Sequence, residues 1–171
     1  MKEKELPEYW LRGKVEDTPD LLQPIVHSLL QSKLELKKYM LDFTESLLWE
    51  KPSGRASVGF HLQHLTGVLD RLFTYAEAEN LSETQLKYLK REGVPDSTIS
   101  SNLLIAEFDK KIEEVLKKLK SIPVSSLTEF RGVGRKQLPS SVIGLLFHAA
   151  EHSQRHIGQL LVTVSVVKAP N

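Results

Sequence analysis

Three histidines at intervals of four, His148, His152 and His156, lie inside the run Ser141–Val167. Val142, Leu145, Leu146, Ala149, Ile157, Leu160, Leu161 and Val164 recur there at helical spacing, which predicts one long amphipathic helix. Successive members of such a ladder differ by about 40° in direction and rise about 6 Å, so the imidazoles form a row along the apolar face. Burying an imidazole nitrogen without a partner costs about 1–3 kcal/mol. A single core histidine is ordinarily satisfied by a carbonyl or a water. Two at i, i+4 can instead converge on one ion, as in the helical half of zinc-protease sites. Chance surface pairs share that spacing, so a second supply of histidine is what sharpens the metal reading. His61 and His64 provide it.

Those two histidines fall early in a second predicted helix, from Ser57 as N-cap to about Glu79, with Val58, Leu62, Leu65, Leu69, Leu72, Phe73 and Ala76 on its apolar face. A first helix is expected from about Asp20 to Phe43, carrying Leu22, Val26, Leu29, Leu36, Met40 and Phe43; Pro24 fits only near its first turn. His27 stands alone on it and reads as surface or capping. Ser82-Glu83-Thr84-Gln85 has capping-box form, predicting a short helix to about Glu92 before Gly93 and Pro95 stop it. A third long helix runs from about Ser101 to Ser121, and its alternating acids and bases form a solvated face. Pro123–Pro139 is expected as a solvated loop, although a short hairpin or a lid would also fit its glycines. Residues 1–19 read as an N-terminal arm whose Tyr9, Trp10 and Leu11 dock on the bundle.

The whole is expected as one all-α domain, 1–171. Its form is a four-helix bundle in up-down-down-up order, with the short extra helix in the crossover between the second and third helices. In that order the second and fourth long helices are antiparallel. His64 would lie about 12 Å into its helix and His156 about 13 Å before the end of its own, so the depths coincide. A three-nitrogen set of His64, His152 and His156 follows, with coordination positions left open to water or substrate. His61 and His148, one turn away, are rivals for a ligand place or shape the cavity. Nitrogen-only ligation suits zinc, nickel, copper or iron(II); zinc or nickel is expected first, with iron as a further choice. No general base stands out: Glu151 points about 100° away from His152, and Asp70 and Tyr75 have no better claim.

Composition narrows the function classes. The chain of 171 residues has no cysteine, which excludes disulfides, thiolate ligands and a cysteine nucleophile. A net charge of +1 offers no bulk attraction to nucleic acid or to an anionic membrane. No apolar run approaches the roughly 20 residues of a membrane span, and Met1–Glu5 is charged, unlike the start of a signal peptide. A cytoplasmic protein is expected, with a small-molecule substrate and neither nucleic acid nor membrane as partner.

Three stretches also carry a resemblance: Tyr9-Trp10-Leu11-Arg12-Gly13, Val58-Gly59-Phe60-His61-Leu62-Gln63-His64-Leu65, and His152-Ser153-Gln154-Arg155-His156-Ile157-Gly158-Gln159-Leu160. In these the chain resembles the DinB/YfiT-like proteins over essentially its whole length. The resemblance implies an up-down-down-up four-helix bundle, usually a homodimer, with His64, His152 and His156 as ligands. It further implies metal-dependent transferase or isomerase chemistry with low-molecular-weight thiols. Ile157 stands where many members carry arginine, so substrate class does not carry over. The leading expectation is therefore a metal-dependent enzyme acting on a small molecule, with a thiol-dependent transferase or a hydrolase as its class. The alternative is a non-catalytic, stress-related metal- or ligand-binding bundle.

Overall fold

The computed structural model describes residues 6–169, so the charged opening Met1–Glu5 lies outside the described residues. Among the described residues are five α-helices: α1 (Gln23–Tyr39), α2 (Val58–Ala76), α3 (Glu83–Arg91), α4 (Ser101–Ser121) and α5 (Val142–Lys168). Two short strands, β1 (Phe130–Val133) and β2 (Leu138–Ser141), form an antiparallel hairpin that pairs Phe130 with Ser141 and Val133 with Leu138. Mostly helical architecture is thus as expected, and the hairpin corrects the solvated loop expected over 123–139. Its side chains gave little signal, because Phe130 and Leu138 stand exposed and no alternation of buried and open positions marks the strands.

Serine starts four of the helices. The side chains of Ser57, Ser82, Ser100 and Ser141 accept from the backbone N–H groups of Phe60, Gln85, Leu103 and Gly144, respectively. Each satisfies a donor that the helix leaves orphaned, a contribution of about 1 kcal/mol. Ser82 and Gln85 complete the reciprocal capping box. α1 is shorter at both ends than the expected 20–43, because Asp20–Leu22 forms a 3-10 turn ahead of it and Met40 closes it.

The core lies between the four long helices. Leu29 and Leu36 of α1, Leu62, Leu65 and Leu69 of α2, Phe108, Ile112 and Leu119 of α4, and Leu146, Ile157 and Leu160 of α5 are all at most 1% exposed. Polar contacts fix the registers. Between α1 and α5 the partners ascend together, Ser28 with the carbonyl of Ala150 and Ser32 with Gln154. Between α2 and α4 they also ascend together, Asp70 with Lys111 and Glu77 with Lys118. Between α1 and α4 they run opposite, Lys33 with Glu113 and Lys37 with Asp109.

The N-terminal arm follows expectation only in part. Tyr9 donates its backbone N–H to Gln31, and the carbonyl of Gly13 meets His27, so the arm is tied to α1. The side chains of Trp10 and Leu11 remain exposed, because the arm is held through its backbone. At the far end of α2, Arg131 of β1 donates to the carbonyl of Ala76, and β2 feeds into the Ser141 cap of α5. These ties hold α5 against α2, the pair that carries the histidines.

Candidate metal centre

α2 contributes His61 and His64, and α5 contributes His148, His152 and His156. Along this pair the partners run opposite: His61 Nδ1 lies 3.0 Å from His156 Nδ1, and His64 Nε2 lies 2.9 Å from His152 Nε2. One nitrogen from each of His64, His152 and His156 falls within 4.8 Å of the others. The ring centres of His64 and His156 are 4.4 Å apart and those of His152 and His156 are 4.6 Å apart. The three residues selected from spacing therefore converge.

Each nitrogen's partner indicates how the set is organised. His64 Nδ1–H donates to Glu92 Oε2 at 2.7 Å, which leaves Nε2 as a lone pair facing the cluster. His61 meets Nδ1 of His156, leaving Nε2 of His156 uncommitted. Nδ1 of His152 is buried and has no hydrogen-bond partner among the described residues. His64 Nε2 and His152 Nε2 facing each other, an uncommitted Nε2 on His156 and an orphaned buried nitrogen on His152 suit a divalent cation. Tetrahedral zinc, with bonds of about 2.0–2.1 Å to nitrogen, spaces its ligand atoms by about 3.3 Å, a few tenths from the spacing of His64 and His152.

Electrostatics point the same way. Burial first, and then neighbouring imidazoles, lower the pKa of His61 and His152 from 6.5 to about 4 and that of His156 to about 3. At neutral pH these rings are unprotonated, as metal ligation requires.

Glu92 was not read from the sequence. Its side chain is 4% exposed and grips both His64 and Arg71, the latter at 2.6 Å. Burial pushes its carboxyl up, but hydrogen bonds from His64 and Arg71 outweigh that and hold it below the ordinary carboxylate range. Two glycines make room. A Cβ on Gly67 would collide with Glu92, Arg71 and Tyr88. Gly93, at φ +79°, donates its N–H to Gln63 Oε1 at 2.7 Å and lies against Phe60. Phe60 in turn stacks on His64 at 5.2 Å. The available signal was Arg71, two turns beyond His64 on α2: a buried guanidinium demands a carboxylate.

The other candidates fall elsewhere. His148 is bonded to Glu151 at 2.6 Å, and with His152 the pair forms a second group that could hold an ion. Arg155 already occupies both oxygens of that carboxylate. Asp70 pairs with Lys111 and Gln85, outside the cluster. Beside His61 opens a cavity of about 540 Å³, bounded also by Arg55, Arg155, Gly158, Val162 and Thr163.

A helical bundle with histidines of two helices gathered beside an open cavity is the class of molecule that these features define. The sequence profile of the DinB superfamily matches residues 28–160, and the chain belongs to that superfamily. Among solved structures it is similar to a DinB-like protein from Bacillus cereus ATCC 10987, with 19% identity and TM-score 0.60 over 86% of this chain and 94% of that one. It is likewise similar to a protein from Streptococcus pneumoniae, with 11% identity and TM-score 0.61 over 84% and 88% of the respective chains. At such identities the likeness shows the fold alone. No curated protein matches. Among the described residues no helix is long and apolar enough to cross a membrane.

Proposed function

We propose that this protein is a metal-dependent enzyme acting on a small molecule, with His64, His152 and His156 holding one divalent cation, zinc or nickel before iron. The observation that carries the reading is the convergence of three imidazole nitrogens from two helices within 4.8 Å. A cation held there supplies Lewis acidity, which lowers the pKa of a thiol or water presented to it. The chain's own residues do the rest. Glu92 fixes the ring of His64 by accepting from Nδ1–H, and Arg71 holds Glu92 in place. His61 orients His156. The cavity beside His61 gives a small molecule access to that edge, which favours turnover over a purely structural ion.

Thiol-dependent group transfer is the reaction class we favour, supported by family membership and by the absence of any cysteine nucleophile in the chain. Up-down-down-up order belongs to the same reading, supported by the parallel registers of α1 with α5 and α2 with α4 and the opposed ones of α2 with α5 and α1 with α4. A homodimer in the cytoplasm, with no nucleic-acid or membrane partner, completes it.

Protein purified without metal-affinity resin is expected to carry about one divalent ion per chain by elemental analysis. His152→Ala and His156→Ala should lose it, while His27→Ala, whose ring contacts only the arm, should keep it. Equal metal content in all of these contradicts the assignment.

A further inference from the structure

The metal reading leaves the chemistry of the cavity walls unused. Two cations and no acid line the cavity. Arg55, exposed just before the Ser57 cap, has no hydrogen-bond or ion-pair partner for its side chain among the described residues. Arg155 gives only Nη2 to Glu151, at 2.6 and 2.8 Å, so Nε and Nη1 stay uncommitted. Glu151 offsets the charge of Arg155, and that of Arg55 remains unopposed. Gly158 adds an independent observation. It lies exposed in the middle of α5, and a Cβ there would meet nothing within 4 Å. Glycine weakens a helix interior relative to alanine, and no packing neighbour in this chain asks for it. What it provides is a bare floor between Arg155 and Val162.

We propose that this cavity seats the oxyanion of a small-molecule substrate, a carboxylate or a phosphate, against Arg55 and Arg155 and over Gly158. The remainder of the molecule then extends toward the His61–His156 edge of the cluster. The proposal rests on the small-molecule reading above, although the seat itself needs no metal. Planar guanidinium groups suit it, because their forked donors match the two oxygens of a carboxylate or phosphate. Exposed cations are screened by salt, so such a seat selects by charge and contributes modest affinity.

The test uses the full chain without added metal, following the backbone amides of Gly158, Val162 and Thr163 by NMR. Three titrants are compared: 3-mercaptopropionate, its uncharged amide, and inorganic phosphate. We expect saturable shifts with one or both anions, and binding of the amide about tenfold weaker. Arg55→Gln should weaken the anion about fivefold or more without altering the fold, since the side chain makes no hydrogen bond or ion pair among the described residues. Gly158→Ala should also weaken it while leaving the thermal midpoint unchanged or raised. Equal binding of acid and amide, no shift with either anion, or wild-type affinity in Arg55→Gln would each overturn the proposal. So would shifts that follow protein concentration alone, which would make this face a contact between copies. Cobalt uptake, read by absorbance on separate samples of the same protein without titrant, keeps the two readings apart. Anion binding without cobalt uptake refutes the metal centre and leaves the oxyanion seat standing, and the converse result refutes only the seat.

Discussion

Glu92 has both oxygens committed, one to His64 and one to Arg71, and only a charged carboxylate serves both at once. Glu92→Gln keeps the shape but loses the charge that steadies the His64 Nδ1–H and balances a buried guanidinium. Outer-shell partners of ligating histidines typically change metal affinity by about 10–100-fold. We therefore expect zinc affinity to fall by about that factor in Glu92→Gln, measured by competition with a chromogenic chelator. Unchanged affinity would remove Glu92 from the site. The clustered histidines themselves were legible, since i, i+4 spacing on one apolar stripe was matched by a second pair of histidines on another helix. Glu92 was not: it lies outside any periodic pattern, and only the need of Arg71 for a partner marked it.

At the scale of elements, the crossover does more than connect. Gly93 turns the chain through a left-handed conformation directly after Glu92 and leans on Phe60, so the end of α3 is seated over the first half of α2. A Cβ on Gly93 would stand 2.9 Å from Phe60, at a φ that L-residues adopt at a cost of about 1–2 kcal/mol. Gly93→Ala is accordingly expected to destabilise the protein by about 2 kcal/mol in urea unfolding and to weaken zinc binding as Glu92 is displaced. A wild-type midpoint would show that the turn is slack. Helix limits were readable to within a few residues wherever serine capped them, as at Ser57, Ser100 and Ser141, because that signal is local. The 130–141 hairpin was not, because its exposed Phe130 and Leu138 follow no burial pattern and its pairing depends on docking beside α2 and α5. The exposed Trp10 likewise escaped a reading that assumed large apolar rings dock.

For the molecule as a whole, acid is the natural stress. His61, His152 and His156 are held near 4, 4 and 3 in the folded chain, against 6.5 when exposed. The unfolded chain therefore binds more protons below about pH 6.5, and stability must fall as pH drops from there toward 4. His61 is buried, but His152 and His156 are only partly so, and solvent screening discounts their share of the effect. We expect a loss of about 2 kcal/mol between pH 7 and 5 in metal-free protein. That corresponds to a thermal midpoint lower by about 4–8 °C. A flat midpoint over that range would mean that the histidines titrate alike folded and unfolded.

His64 and His152 are 88 positions apart in a chain that contains no cysteine. An ion held between them staples the ring of chain that they close much as a disulfide would, and for a span of that length the chain-entropy relation gives about 4–5 kcal/mol. This fastening is indifferent to reductants and yields to a chelator. Ruggedness in such a protein would follow the supply of metal rather than the redox state of its surroundings.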